Sequence, residues 1–208
     1  MKKSNSLFLF ISPIIIICAI GSILLIGCYT ATSARSFTEA DLLIDKSAMP
    51  LGWESEEPIE YYPYDKEGAD NLALIDFYYS DTPFLVRAGE DVYRFRNQYF
   101  ANISYSHLVN AYMTQRANDV TPWQTPIGLD FTSSTADRCR FACAENSFSP
   151  SPEFGSKARI CLYLAQYDEF IIMFRITIEV DNNVFISIDE VKNIIEEIDA
   201  KMAQYLNP

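Results

Sequence analysis

Cysteines are the residues best suited to chemistry in this 208-residue sequence, and three of them fall in its C-terminal half. Cys139 and Cys143 lie on one face of a predicted strand, and Cys161 lies on the core face of the next strand. An oxidising compartment permits one disulfide among them and leaves one thiol free. We favour Cys143–Cys161, because it closes the shorter loop and would stabilise the fold by about 3 kcal/mol. Cys139–Cys161 is the alternative pairing.

Metal and acid–base chemistry are both disfavoured. A zinc site at the cysteines lacks a fourth ligand, because His107 is the only histidine and lies far away in sequence. Asp137 with Glu145, or Asp168 with Glu169, would supply two carboxyl groups for hydrolysis, but each also fits a solvated turn. We therefore expect no metal, no cofactor and no catalytic residues, with a hydrolase as the less favoured alternative.

Aromatic and arginine side chains outside the apolar runs are the candidates for binding. Trp53 follows a proline–glycine turn, three tyrosines lie in an acidic loop, and Trp123 is bracketed by prolines. Two arginines on the polar face of a predicted strand stand out in an acidic protein, although they also fit a solvated face. The possible binding surface comprises Trp53, Tyr61, Tyr62, Tyr64, Trp123, Arg94 and Arg96.

The first 28 residues carry an export signal. Lys2 and Lys3 precede an uncharged apolar run over Leu7–Ile26, which ends in the sequence Leu-Ile-Gly-Cys at 25–28. This ending resembles a bacterial lipobox, and the resemblance implies that Cys28 is diacylated and becomes the mature N-terminus. The run is also long enough to span a bilayer uncut, so an N-terminal anchor is the alternative.

Both interpretations place the rest of the chain outside the cytoplasm and attached to a membrane. We expect residues 1–28 to form the signal or anchor, 29–37 a tether, and 38–208 an extracytoplasmic domain. The net charge of −12 excludes nucleic acid and anionic lipid headgroups as binding partners, because the sign is wrong for both. With 49% apolar residues, the chain can build a substantial core.

A long hairpin over Ala158–Val180 organises the predicted domain. Two strands rich in β-branched and aromatic residues flank Asp168-Glu169, which we expect to form a two-residue turn. That turn sets the register, so that Ala165 opposes Ile172 and Cys161 opposes Ile176. Both faces of this hairpin are apolar, which predicts central strands covered on both sides.

The remaining pattern predicts three more strands and two helices. The strands are Leu72–Tyr79, Val92–Tyr99 and Asp137–Ala144, with Glu54–Gly68 and Arg87–Asp91 as loops. Ser104–Arg116 and the segment from Ser187 onward, which opens with a capping box, have helical apolar spacing. The sequence therefore predicts an α+β fold: a single antiparallel sheet of about five strands, with a C-terminal amphipathic helix and a second helix packed on it.

This order of elements, with the Pro-Leu-Gly-Trp segment at 50–53, resembles PsbP-like and Mog1-like domains and small mycobacterial lipoproteins. It is also similar to extracellular sensor domains of some bacterial Ser/Thr kinases. The resemblance covers about residues 38–206 and implies a binding or accessory role in the cell envelope, with an envelope protein or a small ligand as partner. An assembly factor for a membrane complex shares every sequence feature with this role and is the alternative.

Overall fold

A computed structural model describes residues 35–62, 64, 66–79, 86–113, 127–147, 157–179 and 186–206. Cys28, Trp123 and most of the predicted tether lie outside these residues. The described chain is α+β, as expected, with an antiparallel sheet and a C-terminal helix. Its strands and helices are β1 (Trp53–Ser55), β2 (Ile59–Tyr61), β3 (Asn71–Tyr79), β4 (Arg87–Arg94), α1 (Gln98–Tyr112), β5 (Ile127–Gly128), β6 (Arg138–Ser147), β7 (Lys157–Tyr167), β8 (Phe170–Glu179) and α2 (Ile188–Leu206).

The sheet has eight strands, not the predicted five. Their order is β1-β3-β4-β8-β7-β6-β5, and β2 pairs with the same side of β3 as β1 does. The three additional strands are two or three residues long and lie at the sheet edges. Strands of this length are too short to show an alternating pattern, and acidic or proline-containing segments flank them.

The central hairpin has the predicted register. Ala165 pairs with Ile172 and Cys161 with Ile176, across a two-residue turn in which Asp168 has a φ of 53°. Aspartate tolerates this left-handed conformation better than most residues. Both faces of the hairpin are buried in the described structure, which places β7 and β8 at the centre of the sheet.

The segment from Arg87 to Tyr99 departs from the predicted pattern. Arg87–Arg94 is a strand rather than a loop, and α1 begins at Gln98 rather than at Ser104. Gly89 pairs with Asp76 of β3, and a Cβ at position 89 would lie 2.8 Å from a carboxylate oxygen of that residue. Glycine therefore lets the two strands pair here without moving the Asp76 side chain. Asn97 caps α1 by accepting a hydrogen bond from the Phe100 N–H at 3.2 Å. The strand pattern, in which Tyr93 and Phe95 point to the same face, therefore stops before Asn97.

The two helices cover opposite faces of the sheet. α1 buries Ala101, Tyr105 and Leu108 on one face, and α2 buries an apolar stripe that includes Val191, Ile195 and Ile198 on the other. The predicted capping box is present: Ser187 and Glu190 exchange hydrogen bonds at the start of α2. The α2 face holds the larger core, which also takes in the segment around Leu42–Ile44.

Candidate functional site

A buried carboxylate, Glu39, brings together two of the predicted binding residues, Tyr62 and Arg94, at one end of the sheet. Its oxygens accept hydrogen bonds from the Tyr62 hydroxyl at 2.8 Å and from the side chains of Asn71 and Arg94, each at 3.4 Å. The Arg94 guanidinium also lies over the Phe170 ring, 5.6 Å from its centre. Burial and the neighbouring Glu39 raise the pKa of Tyr62. This cluster fixes the N-terminal segment to the ends of β3, β4 and β8.

Trp53 belongs to the core and not to a surface. It is 1% exposed, and its ring packs edge-on against Tyr79 with 6.1 Å between centroids. Its indole nitrogen has no hydrogen-bond partner among the described residues. A tryptophan after a proline–glycine turn fits both a surface and a core, and only packing against β3 decides between them.

The other predicted binding residues are divided between two surfaces. Tyr61 is half-exposed and packs against Tyr64, which in turn contacts Tyr93 on the α1 face. Arg96 is exposed, and its guanidinium lies 5.9 Å from the centre of the Phe100 ring. Tyr61 and Tyr62 are therefore accessible on the β2 edge, whereas Arg96 joins an aromatic surface at the start of α1.

Asp137 and Glu145, one of the two carboxylate pairs considered for hydrolysis, lie far apart. Asp137 and Glu145 are eight positions apart along one extended segment, which separates them by roughly 26 Å. Asp137 accepts a hydrogen bond from the Asp168 N–H at 2.8 Å, and Glu145 forms an ion pair with Arg159. His107 is exposed on α1. Within the described residues, no group of three or more potential metal ligands occurs.

The favoured disulfide is present. Cys143 and Cys161 face each other directly across β6 and β7, with 4.1 Å between their Cα atoms, and Cys139 is a half-buried free thiol. Cys139 lies opposite Ala165, so the strand register rules out the alternative pairing. A cleft of about 310 Å³ lies over the bridge and includes Cys143, Arg159 and Ile188 in its wall.

A hydrogen-bonded network beneath α2 was not predicted. Asp199 is 7% exposed, and it accepts hydrogen bonds from the Tyr167 hydroxyl at 2.5 Å and from the Ser133 hydroxyl at 2.6 Å. The Tyr163 and Tyr167 hydroxyls are 3.0 Å apart, and burial raises the pKa of both groups. Ser133 in turn accepts from two backbone amides of its own loop. The network therefore joins the loop before β6 to α2.

Glu90 is the most perturbed carboxyl group in the described residues, and no pattern in the sequence indicated it. It is fully buried in β4, and burial raises its pKa to about 8. One oxygen accepts the Ile44 N–H at 2.7 Å, and the other has no partner among the described residues. Ile44 also lines a cleft of about 330 Å³ between α2 and the Lys46–Ala48 turn, which Lys201 and Tyr205 border. The sequence predicts a loop over Arg87–Asp91, and a loop residue is expected to be exposed rather than buried.

Comparison with known proteins supports the fold. No protein-family model matches the chain, and no curated protein matches it either. Among solved structures, it is similar to the extracellular domain of PknH from Mycobacterium tuberculosis, with a TM-score of 0.54 and 9% identity over 86% of this chain and 98% of that one. The chain therefore shares its fold with this extracellular domain. Neither helix in the described residues is long and apolar enough to cross a bilayer.

Proposed function

We propose that this chain is a membrane-tethered, extracytoplasmic binding or sensor module without enzymatic activity. The observation that carries the proposal is the fold that it shares with the extracellular domain of PknH. The lipobox-like sequence ending at Cys28 and the Cys143–Cys161 disulfide agree with such a location, because disulfides persist in oxidising compartments. Cys28 would carry the lipid, and two acyl chains suffice for stable attachment.

The open edge of β2 is the surface that we assign to a partner. Ile59, Tyr61 and Tyr62 are each 43–49% exposed there, and among the described strands β2 pairs with β3 alone. An exposed strand edge can accept an extended segment of another protein by backbone hydrogen bonds. Glu56, Glu57 and Glu60 are exposed beside it. A basic segment of an envelope protein therefore fits this edge better than a small molecule does.

Intact mass of the membrane-extracted protein tests the tether. We expect a chain that begins at Cys28 with a diacylglycerol adduct, and one free thiol before reduction. A mass that corresponds to the full-length chain, with Lys2 and Lys3 retained, would support the N-terminal anchor instead. Recovery from the cytosol with every thiol reduced would contradict the proposed location.

A pull-down of the crosslinked full chain tests the partner surface. The variant Ile59→Ser with Tyr61→Ser should lose a partner that the wild-type protein retains. Ile127→Ser is the matched control, because Ile127 is 69% exposed on β5 at the opposite edge of the sheet. A partner recovered at fixed stoichiometry favours an assembly factor, and transient capture favours a sensor. Equal capture by both variants would remove β2 as the binding edge.

A further inference from the structure

The start of α1 carries an apolar surface that faces away from the sheet. Tyr99, Phe100 and Ile103 are 68%, 42% and 42% exposed, and the Tyr99 and Phe100 rings meet edge-on with 5.6 Å between centroids. At 100° per residue, these three side chains point opposite to the buried Ala101, Tyr105 and Leu108. Arg96 lies beside them over the Phe100 ring. We call Arg96, Tyr99, Phe100 and Ile103 the α1 patch.

The α1 patch lies at the end of the sheet where the chain arrives from its N-terminal tether. Phe37 packs on Phe170, the first residue of β8, with 6.0 Å between ring centroids. The start of α1 adjoins the same hairpin turn, because the Phe95 N–H donates to the Glu169 carbonyl at 2.9 Å and the Gln166 side chain donates to the Gln98 carbonyl at 3.5 Å. The N-terminal segment, on the α2 face, and the start of α1 therefore lie at the same end of the sheet, next to one turn.

The length of the tether limits how far this end can lie from a membrane. Seven positions separate Cys28 from Arg35, the first described residue, and even a fully extended chain of that length spans only about 25 Å. A domain tethered at Cys28 is thus held with the Phe37 end close to the lipid. This closeness depends on the attachment at Cys28, which belongs to the proposed function.

We propose that the α1 patch docks on the headgroup region of a zwitterionic phospholipid bilayer and orients the domain on its membrane. Tyrosine favours the membrane interface, where its apolar ring and its polar hydroxyl are both satisfied, and Phe100 and Ile103 add apolar area that can be buried among the acyl chains. The Arg96 guanidinium can donate hydrogen bonds to a lipid phosphate. The net charge of −12 opposes binding to anionic lipid, so the apolar contact, and not charge, holds the domain there.

The test uses the full, lipidated chain in nanodiscs of phosphatidylcholine, with a tryptophan placed in the patch. The fluorescence added by Tyr99→Trp should be quenched severalfold more by brominated phosphatidylcholine than that added by Leu51→Trp. Leu51 is the matched control, because it is 99% exposed beside Trp53, which pairs with the far end of β3. The two ends of β3, Asn71 and Tyr79, are about 26 Å apart, so Leu51 lies far from the end of the sheet that carries the α1 patch.

Hydrogen exchange of the wild-type chain provides a second measurement that needs no substitution. In the first turn of α1 the Phe100 N–H is capped by Asn97, while the amides before it have no partner within the helix. Lipid contact should therefore slow the exchange of residues 97–104 on going from detergent to nanodiscs. Exchange of residues 50–55 should not change.

Three results would overturn the proposal, and they are distinguishable from one another. Nanodisc-bound chains in which the Tyr99→Trp fluorescence is not quenched and the exchange of residues 97–104 is unchanged would remove the docking while leaving the tether intact. A chain that fails to co-elute with nanodiscs would contradict both the docking and the tether. Protection of residues 97–104 only in a crosslinked dimer would assign the α1 patch to a second copy of the chain.

Discussion

At the scale of single residues, three buried carboxyl groups hold separate parts of the fold together. Glu39 is paired with Arg94 and a tyrosine hydroxyl, and Asp199 accepts several hydroxyl hydrogen bonds. Glu90 has only one hydrogen bond among the described residues, from the backbone of Ile44. Burying an ionised carboxylate is costly unless it is paired, so Glu90 is the group expected to stay protonated near neutral pH.

Glu90 should make the stability of the domain depend on pH. Burial raises its pKa to about 8, whereas Lys201 and the Ile44 amide lower it and Asp91 raises it further. The unfolded chain loses this proton near pH 4.5, so the free energy of unfolding should fall as pH rises from about 5 to 8, by a few kcal/mol in total. Glu90→Gln cannot ionise and should remove this part of the slope in urea unfolding measured across that range.

Glu196→Gln is the control for this experiment, because Glu196 is exposed on α2. It should leave the pH slope of the wild-type protein unchanged. Parallel slopes for wild type and Glu90→Gln would show that Glu90 ionises normally in the folded protein.

The hydrogen bond between Tyr167 and Asp199 should contribute measurably to stability. Tyr167→Phe removes the hydroxyl that donates at 2.5 Å to the buried carboxylate, and such a bond to a charged group contributes about 1.5–3 kcal/mol. The midpoint of urea unfolding should fall accordingly. Tyr99→Phe, at a position that is 68% exposed, should change it by less than about 0.5 kcal/mol. Equal effects of the two substitutions would contradict the role assigned to the network.

At the scale of elements, the β7–β8 hairpin fixes the geometry of its neighbours. Its register places Cys161 directly opposite Cys143 of β6, and its turn holds the start of α1 and the N-terminal segment at one end of the sheet. The α2 helix then spans the face that the hairpin presents. A shift of one residue in β7 would therefore move the disulfide, the Tyr167 hydroxyl and the apolar face together.

Removing the disulfide should destabilise the domain without changing its fold. Cys143→Ser with Cys161→Ser opens a loop with a sequence separation of 18, and the lost restraint on the unfolded chain amounts to about 3 kcal/mol. Thermal unfolding under non-reducing conditions would measure this loss. Cys139→Ser is the control and should have a small effect, because that thiol is unbridged. If the two changes were equal, the bridge would not be a restraint on the fold.

At the scale of the whole domain, two cores share one sheet. The α2 face and the α1 face are lined by alternate residues of the same central strands, for example Tyr163 and Leu164 of β7. Loss of packing on one face therefore disturbs the same strands whose other side chains form the core of the opposite face. The described residues should behave as one cooperative unit, although each helix contacts only its own face.

Substitutions on either face should lower the midpoint of the same unfolding transition. Leu108→Ala on α1 and Ile195→Ala on α2 remove side chains that are 1% and 0% exposed, and each should cost about 2–5 kcal/mol. Far-UV and near-UV circular dichroism should lose their signals together in both variants. A variant with two separated transitions would show that the faces unfold independently.

The parts of the fold that the sequence predicted are those with strong local patterns. The hairpin register followed from two apolar runs and a two-residue turn, and the start of α2 followed from its capping box. The edge strands and the buried part of β4 were missed, because short strands, and a glycine followed by two acidic residues, look like loops. The helix α1 was placed six residues too late, since Tyr99 continued the alternation of Tyr93 and Phe95 by chance.

Sequence alone determined the class of the fold and the central hairpin, because each depends on spacing between residues that are near in the chain or opposite in a hairpin. It favoured the Cys143–Cys161 disulfide, and the register of β6 against β7 decided between that pairing and Cys139–Cys161. Tertiary structure decided which polar and aromatic side chains are accessible. Trp53 was drawn into the core and Glu39 was buried against Arg94, while Tyr99 and Phe100 were left exposed. Burial is set by which distant segments pack against a residue, and that information is absent from its neighbours in the sequence.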